Sequence, residues 1–349
     1  MKALNNIERI QFNNETLLQL LPLYECKGKE FYYNDLFQRD SAAFEKNTLE
    51  MDVYAIGKIL DLDVTEARLK QWSKKALTPK NKDEELLRNI RIVLERLQTN
   101  ISQFEFFSNE LFDLGRGISK GIGQFNYLSY PVEGAGTLSK TKSKRYDLEE
   151  LINLFEKLKN GKKNELIQLM CNFYIDFLNM DIFNSFNKEI GLIFLYTLLS
   201  LNFNVFRYIS FFTYFLEKKE IIRQATIQAA YYWKEGYAQT ETLFRVMVDI
   251  LNSAYSEIEK IAHEYDFERT LNKSNSIENT ITKLSSIFSK EDIRRLHPTV
   301  SDKTIDRTLK RLKDENKITP LGKGRTSRWQ RVNDDDAFFG KKQLSMFKD

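Results

Sequence analysis

Residues 181–192 read DIFNSFNKEIGL. The segments on either side are helical in character, so this short polar stretch reads as a turn inside an apolar core. Its end opens the run 190–216, IGLIFLYTLLSLNFNVFRYISFFTYFL. The uninterrupted apolar part ends at Leu201, and Asn202, Asn204 and Arg207 break it short of the ~20 residues that span a bilayer. The run therefore predicts a buried helix, a turn and a second helix, with no membrane segment. The start, MKALNNIERIQFNN, lacks the apolar core of a secretory signal.

The composition agrees with a helical core. The 349 residues include only 14 glycines and 5 prolines, with 42% hydrophobic and 13% aromatic residues. So few turn-formers exclude collagen-like, low-complexity and globally disordered classes. Cys26 and Cys171 are the two cysteines, too few for a disulfide framework or a cysteine-based zinc site. A reducing, cytoplasmic setting is expected. His263 and His297 are the two histidines, which narrows histidine-based catalysis and metal binding.

Working outward, residues 1–100 read as helices. The clearest is Asn81–Gln98, where Leu86, Ile90, Val93, Leu94 and Leu97 form one stripe. Residues 121–138, GIGQFNYLSYPVEGAGTL, hold turn residues at high density and read as a β-hairpin or loop. The basic run Lys140, Lys142, Lys144 and Arg145 reads as a solvated loop. Asp147 then fits a capping-box helix start, with Glu150 three residues on and a core face of Leu148, Leu151, Ile152, Phe155 and Leu158. Helices continue to about Asp266. The polar stretch TLNKSNSIENTIT, residues 270–282, marks a boundary. Five segments result: 1–100, 101–268, a linker at 269–285, a basic domain at 286–332 and a tail at 333–349.

The stretch 181–192 resembles the signature of the Fic family, H-P-F-x-D/E-G-N-G-R-x-x-R. Placed without a gap, Phe183 and Asn187 match, and Ile190 and Gly191 suit the spacer. The upstream hairpin resembles that family's substrate-binding flap. Tyr208-Ile209-Ser210 and residues 214–219 resemble its helix after the active site, and residues 240–251 its closing helix. Ser41-Ala42-Ala43-Phe44-Glu45 fits the inhibitory pattern S/T-x-x-x-E, with Lys46 where glycine or asparagine is usual. The resemblance covers about residues 1–266. It implies a mostly α fold: a Fic-like helical bundle with a small β-hairpin flap.

The resemblance also implies transfer of AMP from ATP to a target hydroxyl, and there the chain departs. The base histidine is Asp181, whose ordinary pKa of about 3.9 makes a poor base. The Mg²⁺-holding acid is Ser185. The two glycines of the anion loop are Phe186 and Lys188, whose side chains should keep backbone N–H groups from closing on phosphate. The first phosphate-binding arginine is Glu189, and the second is Leu192. Base, metal ligand, anion nest and both cationic clamps change together. The expectation is that no residue here is catalytic, and that ATP and Mg²⁺ serve only if an altered site is active. Without its arginine, Glu45 has no inhibitory role.

The basic domain carries 13 Lys and Arg against 6 Asp and Glu over residues 286–331, a net +7 in a chain of net +4. Ser289 caps a helix carrying Ile293 and Leu296, and Pro298 ends it. Ser301 caps a second helix with Ile305, Leu309 and Leu312 on its buried face. Lys303, Arg307 and Lys310 point the opposite way, with Thr304 near the cap and Arg311 at the flank. A strand from Lys317, a basic turn at residues 321–326 and a returning strand at 327–332 follow. This order resembles a winged helix-turn-helix, which many Fic-family proteins also carry at this end. That geometry implies double-stranded DNA as partner, contacted by Ser301, Lys303, Thr304, Arg307, Lys310 and Arg311 on the helix and by Lys323, Arg325 and Arg328 on the wing. His297 is expected to be structural.

The tail holds Gln343-Leu344-Ser345-Met346-Phe347, which resembles the peptide by which bacterial replication and repair proteins bind the sliding clamp. Gln343, Leu344, Met346 and Phe347 would fill its pockets. The expected function is a DNA-binding regulator or adaptor on a degenerate Fic scaffold. The alternatives are a Fic-type AMP transferase with an altered site, or a clamp- or protein-interaction adaptor. A homodimer is a further partner weighed, and a metal site is not expected.

Overall fold

Helices are built around residues 166–202, where two consecutive segments are apolar on nearly every side. The computed structural model describes residues 2–9, 12–131, 141–268, 273–322 and 328–332. Helices run in chain order as α1 (Asn14–Gly28), α2 (Glu30–Phe37), α3 (Ser41–Ile59), α4 (Glu66–Lys74), α5 (Lys82–Asn100) and α6 (Ser108–Ser119). A two-stranded antiparallel ribbon follows, β1 (Ser129–Pro131) and β2 (Thr141–Ser143), then α7 (Arg145–Asn160), α8 (Leu166–Met180), α9 (Asn187–Asn202), α10 (Phe211–Glu217), α11 (Lys219–Tyr231) and α12 (Glu241–Glu268). The last elements are α13 (Lys273–Lys283), β3 (Ile287–Ser289), α14 (Lys290–Leu296), α15 (Asp302–Asp314), β4 (Ile318–Pro320) and β5 (Arg328–Arg331). The chain is thus mostly helical with small antiparallel strand groups, as expected.

Two compact units form: Met1–Asp35 with Thr48–Ile258, and Leu36–Asn47 with Glu259–Asp349. In the first, α8 and α9 are the core. Gly191 lets them close together, since a β-carbon there would come within 2.9 Å of the Leu178 side chain. Local caps set the boundaries: Asn13 accepts from Thr16 N, Asn81 from Glu84 N, and Glu165 from Gln168 N. Asp176 of α8 is fully buried and accepts from the backbone N–H groups of Lys2, Ala3 and Leu4 and from Trp233 Nε1. Successive N–H groups around one carboxylate make a small anion nest, and it ties the chain's start to the core.

Three local expectations change. The helix read from Asp147 starts at Arg145, and Lys144 at its N-cap makes no side-chain capping bond. Asp147 instead accepts from the Tyr130 hydroxyl at 3.1 Å and pairs with Lys142 at 3.5 Å. The basic run is not a loop: Thr141–Ser143 pairs with Ser129–Pro131 as the ribbon's second strand and feeds directly into α7. Residues 132–140 lie outside the described residues. Part of the expected linker forms α13, whose Ile277 and Ile281 are buried with Phe288, Ile293, Ile305, Leu309, Leu312 and Ile318 in the second unit's core. Polar residues on its outer face conceal a two-residue apolar stripe.

In that unit β3, β5 and β4 form a sheet in this order, with Phe288 opposite Trp329 and Ile318 opposite Arg331. Ser289 and Asp292 make a reciprocal capping box for α14, and Ser301 caps α15. His297 is buried, with Nε2 2.6 Å from Thr280 Oγ1, a structural role. Among the described residues, no helix is long and apolar enough to cross a membrane.

Candidate functional site

The loop 181–186 joins α8 to α9. Asp181 ends α8 in the left-handed region (φ 46°) and is exposed, and its carbonyl and that of Met180 accept from Lys144 Nζ at 3.0 and 2.5 Å. A cation at a helix C-terminus is favourably placed against the dipole. The sequence reading gave Lys144 no such role.

Phe183 anchors the loop. It is buried, and its ring lies 4.6 Å from Phe125, 5.2 Å from Tyr127 and 6.0 Å from Phe177. Gly115 of α6 makes room for this cluster, because a β-carbon would stand 2.4 Å from Phe125. Asn187 closes the loop: its Oδ1 accepts from Phe183 N at 3.0 Å, and its Nδ2 donates to Phe183 O at 2.6 Å. The segment before β1 adds to the loop as a strand. Leu128 N donates to Ile182 O, Asn184 N donates to Asn126 O, and Tyr127 bridges Phe183. The Asn184 side chain continues the pairing, accepting from Asn126 N at 3.0 Å and donating to Gln124 O at 3.1 Å. Asn184 carries no motif signal, so sequence reading missed it.

The remaining motif positions do not converge on a ligand. Phe186 sits at φ 60°, ψ 20°, in the left-handed region that favours glycine, and makes no side-chain capping bond. A turn that a glycine would adopt freely is thus held by a phenylalanine. Leu192 is buried inside α9, so the second clamp position faces core rather than solvent. Glu189 adds negative charge to the first turn of α9. Ser185 Oγ lies 3.5 Å from Asn184 Oδ1, and Lys188 is exposed. An ATP–Mg²⁺ pair of the kind the resemblance implies does not fit this donor set: the loop lacks a histidine and both arginines. Among the described residues, no group of three or more His, Cys, Asp or Glu is placed to hold a metal ion. Ser41 and Glu45 lie in the first turns of α3.

The basic helix in the second unit is a separate candidate surface. Lys303, Arg307 and Lys310 are exposed on α15 and form no ion pair among the described residues. Two of the helix's acids are occupied: Asp306 pairs with Lys290 at 2.7 Å and Asp302 with Arg294 at 3.8 Å. Thr304 stands against the cap, 2.9 Å from Ser301 Oγ. Arg311 is engaged: it pairs with Glu278 of α13 at 2.6 Å, with Lys317 on the same carboxylate, while its side chain stays 39% exposed. Lys317 first, then Arg311, hold the Glu278 carboxyl below the ordinary range. Arg328 is exposed on β5. Lys323 and Arg325, and the tail residues Gln343, Leu344, Met346 and Phe347, lie outside the described residues.

The sequence matches no protein-family model and no curated protein. Solved structures do match. One is a Fic family protein from Desulfovibrio desulfuricans G20, at 11% identity and TM-score 0.52, covering 93% of this chain and 98% of that one. Another is a Fic domain containing signaling protein from Bacteroides thetaiotaomicron VPI-5482, at 13% identity and TM-score 0.50, covering 71% of this chain and 97% of that one. The chain therefore has the fold of Fic-family proteins.

Proposed function

We propose that the chain is a DNA-binding regulator or adaptor built on a Fic scaffold that no longer transfers nucleotide. In this reading α13, β3, α14, α15, β4 and β5 are a winged helix-turn-helix, with α15 as the helix that enters the major groove. The observation that carries it is the face of Lys303, Arg307 and Lys310. These three cations are exposed and unpaired among the described residues, while neighbouring Arg311 and Lys317 pair with Glu278. A helix face kept cationic in this way meets phosphates and guanine edges. The test is anisotropy of a labelled duplex titrated with the whole chain across a salt series. Each phosphate contact contributes about −0.9 to the slope of log K against log salt. Arg307→Ala should flatten that slope and weaken binding by about tenfold or more. An Arg307→Ala chain that binds as tightly as the parent would overturn the reading.

A second reading, an altered AMP transferase, draws on the left-handed turn at Phe186, which keeps a glycine-like backbone at the start of α9. Calorimetry with ATP and Mg²⁺ separates the two: the regulator gives no binding, and Mg²⁺-dependent binding would restore the enzyme. Under the regulator reading, the tail adds docking to a sliding clamp, which deletion of residues 343–347 should abolish.

A further inference from the structure

Helix α1 is apolar on two sides. One side, Thr16, Leu20 and Leu23, is buried in the first unit. The other is exposed: Leu18 and Leu21 are each 67% exposed, with Leu17 and Tyr24 beside them. An apolar stripe on a helix is ordinarily covered. The exposed stripe does not stop at Gly28. Lys29 caps α1 in the right-handed region and α2 begins at Glu30, so α2 follows α1 after a single residue. Leu17, Leu21, Tyr24, Gly28 and Phe31 then recur at alternating spacings of four and three, the repeat of a two-helix seam. Leu18 and Tyr32 flank it. Phe31 is 84% exposed.

We infer that this seam binds a second copy of the chain, with α1 packed antiparallel to α1 of the partner about a two-fold axis near Tyr24. Area supports it. The exposed parts of these six side chains amount to about 500 Å², taking ~200 Å² per aromatic and ~100 Å² per leucine. A stable interface buries ~800 Å² per partner, roughly three-fifths of it apolar, which is the same quantity. Shape supports it too. Gly28 leaves open space, since a β-carbon there meets nothing within 4 Å. In the antiparallel register Leu21 faces the partner's Gly28, and Leu17 faces the partner's Phe31. Each gap receives a large side chain, whereas a parallel register would stack glycine on glycine. Tyr24 is preset for the axis, because its hydroxyl is held by Glu165 at 2.5 Å. A lipid surface suits the stripe poorly: Glu15 and Glu25 balance Lys27 and Lys29, without the basic flank of membrane-surface helices.

Sedimentation velocity of the whole chain at micromolar concentration tests this. The parent should run at twice 41.2 kDa. Leu21→Glu should run at the single mass with unchanged far-UV circular dichroism, because the side chain is exposed and folding does not need it. In a Cys26→Ser background, Tyr24→Cys should oxidise to a cross-linked dimer and Leu17→Cys should not. A parent of single mass, or a Leu21→Glu dimer, overturns the interface. Cross-linking through Leu17→Cys overturns the antiparallel register.

Discussion

Replacing Asp176 by alanine removes a carboxylate that holds Lys2, Ala3 and Leu4 against the core. Its Oδ1 accepts from Lys2 N at 2.7 Å, Ala3 N at 2.9 Å and Trp233 Nε1 at 2.7 Å, and Oδ2 accepts from Leu4 N at 2.9 Å. The N–H groups of Lys2 and Trp233 can turn to water. Those of Ala3 and Leu4 are buried, and leaving each without an acceptor costs about 1–3 kcal/mol. The chain has one escape, which is to detach the short 3-10 helix Leu4–Arg9. That exposes Leu4 and Ile7, now 1% and 2% exposed, at about 1.5–3 kcal/mol each. Both routes lead to a loss of about 3–5 kcal/mol, which also matches the cost of breaking a buried charged contact. Urea unfolding followed by far-UV circular dichroism reads the loss, and hydrogen exchange at Ala3 and Leu4 identifies the route. Asp176→Asn keeps an acceptor and should lose less than the alanine variant. A loss below about 1 kcal/mol in Asp176→Ala, with protection at Ala3 and Leu4 intact, would refute the reasoning.

Asp52 of α3 is fully buried, and burial pushes its carboxyl up to about 7, against hydrogen bonds from Ser210, Phe212 N and Gln98 that lower it. A raised folded pKa means stability fully present below the unfolded value of about 4 and lost as pH rises through about 7. Asp52→Asn, which mimics the neutral form, should flatten the melting temperature between those limits; an unchanged pH profile would remove Asp52 as its source. Leu192→Arg would restore the signature residue at that position, yet it buries a cation in α9. It should unfold the first unit by about 3 kcal/mol or more rather than recover nucleotide binding, as chemical denaturation would show. Glu278→Gln releases Arg311 and Lys317. It should tighten duplex binding and steepen its salt dependence, and unchanged binding would place both cations away from DNA.

Much of the fold was legible because its signals are local. The stripe of Leu86, Ile90, Val93, Leu94 and Leu97 appears as α5, and the caps Ser289 and Ser301 start the helices they announced. The misses have physical causes. Residues 270–282 look like a linker because only Leu271, Ile277 and Ile281 of the thirteen are apolar, too few to carry a periodic signal. Strand β3 is three residues long and gains its partner from β5, about forty residues later. Arg311 and Glu278 are likewise 33 residues apart, so a helical wheel of α15 shows a basic flank and cannot show the acid that neutralises it.

The 181–192 loop separates what a fold needs from what a reaction needs. Its two matching residues, Phe183 and Asn187, are those whose side chains build the loop: one fills an aromatic cluster, the other ties the turn to the start of α9. Asp181 points to solvent, Glu189 opposes an anion, and Leu192 has joined the core. An aromatic anchor and an amide clamp suffice to place a left-handed turn between α8 and α9, even with phenylalanine at the strained position. Packing and local hydrogen bonds thus hold this loop's backbone. Fold similarity at 11% identity therefore carries no argument by itself for nucleotide transfer.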